Sequence, residues 1–163
     1  MPLSCAFSGH RKIEKIRVQS VIEHLARAIK YAYDEGCRDF FCGGAVGFDT
    51  LAAREVLRFR MSHPDVRLIL YLPCLNQDAK WSEVQSDAYE YILSSADEVR
   101  YVSEEYTKTC MKERNQALAD VADILIVYVG YSSSGSAQTA RMGERAGKRV
   151  FNLYPSVNGK TTK

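Results

Sequence analysis

Two short glycine-bearing segments of the chain carry residue types that suit a bound phosphate. The first is Ser8-Gly9-His10-Arg11, and the second covers residues 43–50 with the sequence GGAVGFDT. An arginine can hold a phosphate through two parallel hydrogen bonds, and a serine hydroxyl donates one more. Arg11 and Ser8 are therefore candidate phosphate ligands, and a solvated basic turn is the alternative for the first segment. His10 is either a phosphate contact or an acid–base group, but the sequence shows no partner residue for catalysis and leaves the catalytic residues unassigned.

The second segment has the composition of a tight turn between a strand and a helix. Gly43, Gly44 and Gly47 allow the backbone to turn sharply and a ligand to approach the main chain. The N–H groups at the start of the following helix lie at the positive end of its dipole, which suits a phosphate. Asp49 either caps that helix or accepts a hydrogen bond from a ribose hydroxyl. A strand-to-helix connection without any ligand is the alternative for the whole segment.

Arg114 and Asn115 are polar residues on a predicted helix whose inward positions are otherwise apolar. Asn115 falls within the apolar stripe and Arg114 falls beside it, by the spacing of residues along a helix. A buried amide or guanidinium needs a hydrogen-bond partner. That partner is either the backbone at a strand end or a ligand, and we favour the ligand.

Two further segments supply candidate ligand-binding residues. A loop rich in glycine and serine at 130–136 precedes a predicted helix. Gly135 and Ser136 at the end of this loop, and Thr139 in the first turn of the helix, can reach a phosphate at the helix N-terminus. A plain flexible loop is the alternative there. Lys80 and Trp81 interrupt the polar segment that precedes another helix. Trp81 is predicted either to stack on a base or ribose or to cover the edge of the core.

The elements that must position these residues alternate between strand and helix. Strands are predicted over 4–8, 39–42, 67–72, 98–102, 124–129 and 149–154, and helices over 14–35, 50–61, 82–94, 109–122 and 137–146. The strands are apolar almost throughout, which favours a parallel sheet covered on both faces. With right-handed crossovers this gives an α/β fold, a doubly wound three-layer sandwich with a mainly parallel sheet of about six strands. Ligands bind such sheets beyond the carboxyl ends of the strands, where the strand order reverses, so the loops at 9–12, 43–49 and 130–136 are expected to form the site.

Composition limits the classes of protein to which the chain can belong. Its 163 residues, 46% hydrophobic and 26% charged, predict one globular domain over 1–155 and a flexible polar tail over 156–163. A net charge of +2 gives no electrostatic argument for a nucleic-acid or membrane partner. The five cysteines and three histidines lack the spacing of a zinc site, so no metal is expected. The odd cysteine count and the lack of a signal-peptide pattern or a membrane-spanning run favour a cytoplasmic protein with reduced thiols.

Taken together, these motifs resemble those of the SLOG superfamily, the Rossmann-like group named after the Smf/DprA and LOG proteins, and the YpsA-like branch in particular. The similarity extends from about Cys5 to Pro155, and its landmarks are the segments 8–11, 43–49, 80–81, 114–116 and 135–141. The resemblance implies a pocket for a nucleotide or nucleotide-derived ligand, such as an ADP-ribose-like molecule or a nucleoside monophosphate. It requires no other cofactor and leaves a homo-oligomer possible.

The resemblance leaves three functions open, of which binding or sensing of a nucleotide-derived ligand is the first. The second is N-glycosidic hydrolysis of nucleoside monophosphates, as in the LOG-type phosphoribohydrolases, whose PGGxGTxxE motif supplies a catalytic glutamate. Met142 stands at that offset from Thr139, and the cleavage needs a nearby carboxylate, for which Glu113 or Glu144 would have to substitute. The third is single-stranded DNA binding, as in the DprA branch, which a chain without a basic run disfavours.

Overall fold

The computed structural model describes residues 2–159 and forms one six-stranded sheet that is parallel throughout. The strands are β1 (Leu3–Gly9), β2 (Cys37–Cys42), β3 (Arg67–Leu72), β4 (Glu98–Tyr101), β5 (Ile124–Tyr128) and β6 (Arg149–Asn152). Their order in the sheet is β4-β3-β2-β1-β5-β6. The chain builds the sheet outwards from β1 to β4 and then returns to place β5 on the other side of β1. The strand order therefore reverses between β1 and β5, where a ligand site is expected.

Helices cover both faces of this sheet and complete the three layers that the sequence predicted. They are α1 (Lys15–Asp34), α2 (Phe48–Arg60), α3 (Glu83–Ser95), α4 (Cys110–Val121), α5 (Gly135–Arg145) and α6 (Tyr154–Asn158). Helix α1 contacts α2 and α6, and α2 contacts α3, whereas α4 and α5 contact each other. The α/β fold of a doubly wound, three-layer sandwich is thereby confirmed.

The alternation of side chains along the central strands explains the two cores. Phe7 and Phe40 point to the face covered by α1, and their rings stack at 6.3 Å. The neighbouring residues Ala6 and Phe41 belong to the core on the opposite face. Successive residues of a strand face opposite sides, so a strand buried on both faces must be apolar at every position.

The end of the described chain differs from the prediction of a flexible tail beginning at residue 156. Residues 156–158 belong to α6, whose Val157 is buried against the core and whose Asn158 Nδ2 donates to the Tyr128 hydroxyl at 3.0 Å. One apolar residue in a polar segment is enough to anchor this turn, and composition alone conceals it. Strand β6 correspondingly ends at Asn152 rather than at residue 154. Residues 160–163 of the predicted tail lie outside the described residues.

Candidate functional site

A cavity of about 490 Å³ lies at the carboxyl ends of β1 and β5, where the strand order reverses. It is lined by Ser8, Gly9, His10, Arg11, Lys12, Ala45, Asp49, Met111, Arg114, Asn115, Tyr131, Ser134, Gly135 and Ser136. We call it the switch-point cavity. The loops after β1, β2 and β5 and the first half of α4 all contribute to its wall, so loops far apart in the sequence meet around one cavity.

The N-terminus of α5 forms one side of this cavity. Ser134 is the N-cap, and its side chain accepts a hydrogen bond from the Ala137 N–H at 3.1 Å. The N–H groups of Gly135 and Ser136 belong to the first turn, where a helix offers them no carbonyl partner. The positive end of the helix dipole is therefore directed at the cavity with free backbone donors, an arrangement that favours an anion. Because Ser134 caps it, α5 begins two residues before the predicted start.

Three cationic side chains line the same cavity, two of them exposed and one buried. The exposed pair is Arg11 and Lys12, and Arg11 Nη2 lies 3.4 Å from the Met111 sulfur. A thioether is a weak acceptor, so an incoming anion would compete for this guanidinium with little opposition.

Arg114 is the buried cation, and the surrounding backbone holds it in place. It is 5% exposed, its Nε donates to Asn115 Oδ1 at 2.8 Å, and its Nη1 donates to the Gly43 carbonyl at the end of β2. Of the two partners considered from the sequence, the backbone at a strand end is the one that the structure shows. A guanidinium has five N–H donors, so the same side chain retains donors for the cavity that it lines.

Asp49 lies in the first turn of α2 and is the one acidic residue among those that line the switch-point cavity. Its Oδ2 accepts from the Ala45 N–H at 3.2 Å, while Oδ1 is buried without a hydrogen-bond partner. Burial raises the pKa of Asp49 to about 6, against the opposing effects of Arg114, Arg11 and the N–H groups of Ala45 and Gly9. The N-cap of α2 is Gly47. Asp49 is therefore not the helix cap, which was one of the two roles predicted for it.

The raised pKa of Asp49 predicts that Asp49→Asn stabilises the protein at neutral pH. As pH rises from 4, the unfolded state loses this proton near the ordinary value of 3.8, whereas the folded state keeps it until about pH 6. Folding stability therefore falls across that window and stays lower above it, by up to about 3 kcal/mol. Urea unfolding at pH 4 and pH 7 should show near-equal stabilities at pH 4 and a more stable Asp49→Asn protein at pH 7. A variant less stable than the wild type at pH 7 would contradict the assignment.

His10 is held as a neutral imidazole beside Asp49 in the cavity wall. It is 6% exposed, its Nε2 accepts from the Gly130 N–H at 2.7 Å, and its ring stacks on Tyr131 at 4.1 Å. The accepting Nε2 assigns the ring proton to Nδ1, which is buried without a partner. Burial also lowers the pKa of His10. The ring therefore has one N–H donor without a partner, at Nδ1, and its basic nitrogen already accepts from Gly130.

Four of the predicted ligand residues lie behind the cavity wall rather than on it. Gly43 accepts from Arg114, Gly44 has φ +73° and accepts from Gln77 Nε2 at 3.1 Å, and Gly47 has φ +80° at the start of α2. Thr139 is fully buried, and its hydroxyl donates to the Gly135 carbonyl at 3.0 Å. These residues shape the turn and the helix start that hold Asp49, Arg114 and the α5 N–H groups.

Lys80 and Trp81 do not line the switch-point cavity. The Trp81 ring packs edge-on against Tyr89 of α3, with ring centroids 5.1 Å apart, and Tyr89 belongs to the buried core. The position of Trp81 thus matches the alternative in which it covers the edge of the core, because the loop that carries it folds over α3. Lys80 is exposed.

The other predicted residues meet at the cavity, together with several that the sequence did not single out. The structure brings together Ser8, Gly9, His10, Arg11, Asp49, Arg114, Asn115, Gly135 and Ser136. The residues missed are Lys12, Ala45, Met111, Tyr131 and Ser134. Ser134 carried a usable signal, since a serine three residues before the first buried position of a helix is a typical N-cap. Tyr131 carried none beyond its place in the loop after β5.

No helix within residues 2–159 has both the length and the apolar character needed to cross a membrane. In the same residues, no group of three or more histidine, cysteine, aspartate or glutamate side chains is arranged to hold a metal ion.

Two solved structures of DNA processing protein A have the same fold as this chain. The protein from Helicobacter pylori, described for its single-stranded DNA binding mode, aligns with a TM-score of 0.66 and 23% identity over 93% of this chain and 65% of its own. That from Streptococcus pneumoniae aligns with a TM-score of 0.65 and 20% identity over 92% of this chain and 50% of its own. The chain therefore spans between half and two thirds of these proteins, and the likeness is one of fold.

Sequence comparison finds relatives over most of the chain. An uncharacterized SPbeta prophage-derived protein, YoqJ of Bacillus subtilis, is 27% identical over 159 residues, which cover 88% of this chain and 89% of YoqJ. A UPF0398 protein of Bacillus thuringiensis is 26% identical over 121 residues, which cover 73% of this chain and 66% of the relative. The YpsA family model, described as the YspA SLOG family, matches residues 7–150. The match begins within β1 and ends within β6, and the chain belongs to the YpsA family of the SLOG superfamily.

Proposed function

We propose that this protein binds a nucleotide or nucleotide-derived ligand in the switch-point cavity. The observation that supports this most strongly is the convergence of the α5 N-terminus with Arg11, Lys12 and Arg114 on one cavity. Backbone donors at the positive end of a helix and arginine side chains are the groups that proteins use to hold phosphate. The phosphate of the ligand lies against the Gly135 and Ser136 N–H groups in this proposal.

The two unpartnered buried atoms in the wall suit the sugar of such a ligand. Asp49 Oδ1 is an acceptor and His10 Nδ1 carries a donor, and both are buried without a partner. Leaving such groups unpaired is costly, and ribose hydroxyls both donate and accept. The volume of about 490 Å³ is within the range of small-molecule sites. The protein thus has donors for a phosphate and, beside them, an acceptor and a donor for hydroxyl groups. This combination favours a sugar phosphate over an inorganic anion.

Titration calorimetry with AMP and with ribose 5-phosphate, at one fixed salt concentration, tests the proposal. Arg11→Ala should weaken both ligands roughly tenfold, because it removes one charge-assisted interaction with phosphate. The variant should keep the stability of the wild type, since Arg11 is exposed and, within residues 2–159, its guanidinium donates to the Met111 sulfur, a weak acceptor. Arg27→Ala, which removes an exposed arginine of α1 outside the cavity, is the matched control. Equal affinities of the two variants would count against the site.

The contacts do not favour hydrolysis over binding. Glu113 is exposed and its Oε2 accepts from the Thr109 hydroxyl at 2.7 Å, and neither it nor Glu144 lines the switch-point cavity. Neither glutamate that could replace the catalytic one is thus at the site, and we propose binding, with Asp49 as the one carboxyl group in the cavity lining. Chromatography of the protein incubated with AMP should show no free adenine, and release of adenine would turn attention to Asp49 as the carboxylate.

Single-stranded DNA is the second candidate ligand, because the Helicobacter pylori protein with this fold is described for binding it. The net charge of +2 is small for such a partner. A mobility-shift assay with an oligonucleotide across a salt series separates the two candidates. DNA binding that weakens steeply with salt and is not displaced by AMP would favour the DNA alternative.

A further inference from the structure

A second cavity, of about 650 Å³, adjoins the switch-point cavity and shares Arg11 and Lys12 with it. It lies between the loop after β1 and the first turns of α2 and α3. Half of its lining residues are apolar: Ile13, Val18, Val46, Leu51, Val84 and Ala88. We call this cavity the apolar cleft. The proposed function does not use it.

The side chains of the cleft leave apolar surface exposed. Val84, in the first turn of α3, is 78% exposed, although it borders a wall whose other members are partly buried. Water in contact with such surface is unfavourable, and a flat ring laid against it would remove that contact. The cleft thus offers apolar surface that a planar ring could cover.

Five polar or charged side chains complete the lining of the cleft: Arg11, Lys12, Glu14, Thr50 and Gln85. Glu14 pairs with Arg17, with Oε1 3.7 Å from the Arg17 Nε. The Thr50 hydroxyl donates to the Ala45 carbonyl at 3.0 Å, and Gln85 Oε1 accepts from the Ser82 N–H at 3.1 Å. The amide nitrogen of Gln85 therefore remains available to a ligand. An amide donor and charged side chains beside an apolar wall suit a heterocyclic ring with polar edge atoms more than they suit a lipid chain.

We propose that the apolar cleft binds the base of the same nucleotide whose phosphate and sugar occupy the switch-point cavity. This inference rests on the proposed function. It is supported by the continuity of the two cavities through Arg11 and Lys12, which places cations between an apolar compartment and an anion-binding one. A nucleotide has the same division, with an apolar ring at one end and phosphate at the other. The ligand class is therefore a base-bearing nucleotide rather than a sugar phosphate alone.

The pair of AMP and ribose 5-phosphate tests the base, because ribose 5-phosphate carries a C1 hydroxyl in place of the adenine ring and is otherwise the same sugar phosphate. Wild-type protein should bind AMP at least about tenfold more tightly than ribose 5-phosphate in titration calorimetry. Val84→Glu should reduce this ratio to nearly one by placing a charge in the apolar cleft. Since both ligands carry the same phosphate, any long-range effect of the new charge acts on both and leaves the ratio alone. Folding should be unaffected, because Val84 is exposed.

Met61→Glu is the control, since Met61 is 87% exposed and borders neither cavity. It should keep the wild-type ratio. Equal wild-type affinities for AMP and ribose 5-phosphate, or a ratio that Val84→Glu leaves unchanged, would overturn the base site while the binding of ribose 5-phosphate still upheld the proposed function. Failure of the wild type to bind either molecule would remove the proposed function and this inference together.

Discussion

Replacing Arg114 with alanine should weaken AMP binding by about 100-fold, the largest effect that we expect on the ligand. The guanidinium is 5% exposed, fixed by Asn115 Oδ1 and the Gly43 carbonyl, and it lines the switch-point cavity. A buried, preorganised cation loses little entropy on binding phosphate, and the loss of a charge-assisted pair in such a place costs about 3 kcal/mol. Titration calorimetry measures the change directly.

Two further variants show whether the loss comes from the ligand contact or from folding. Arg114→Lys keeps the positive charge but lacks the planar fork, and should weaken AMP about tenfold. Arg145→Ala removes an exposed arginine from the last turn of α5 and should change nothing. AMP affinities that were the same in Arg114→Lys, Arg145→Ala and the wild type would show that Arg114 serves the fold alone.

Gly47→Ala should cost about 3 kcal/mol or more in the free energy of unfolding, the largest effect that we expect on stability. Gly47 has φ +80°, and a Cβ placed there would lie 2.2 Å from the Arg11 carbonyl oxygen. A positive φ alone costs an alanine roughly 1–2 kcal/mol, and the ψ of −123° at Gly47 lies outside the left-handed helical region that other residues can adopt. The clash adds to this, because backbone on the opposite side of the turn would have to move.

Gly147→Ala separates these two costs. Gly147 has φ +78°, but a Cβ there would meet nothing within 4 Å. Urea unfolding should show a loss of about 1 kcal/mol for Gly147→Ala and a clearly greater one for Gly47→Ala. Similar losses for the two variants would mean that the close approach of Gly47 to the loop after β1 contributes nothing. The same approach sets the position of Arg11, so Gly47→Ala should also weaken AMP.

The fold was predictable because its signals are local and repeated. Each strand is an apolar run, each long helix has an apolar stripe, and their alternation leaves few topologies. The predicted positions for β3 and β5 agree with the structure to within one residue. Helix α6 was missed because a single buried residue, Val157, anchors it.

The location of the candidate site was also predictable, but the contacts and roles of its individual residues were not. The rule that ligands bind where strand order reverses selected the loops after β1, β2 and β5, which do line one cavity. It could not show that Gly43 accepts from Arg114, a contact across 71 positions of the sequence. Nor could it show that burial would raise the pKa of Asp49 or that Trp81 packs on Tyr89. These properties depend on distances between elements, which no local pattern contains.

The central claim is that the switch-point cavity holds the phosphate of a nucleotide, and a crystal structure of the protein at saturating AMP tests it most directly. We expect phosphate oxygens within hydrogen-bond distance of the Gly135 and Ser136 N–H groups and of the Arg114 guanidinium. A cavity left without AMP, or AMP bound with its phosphate at another surface, would contradict it.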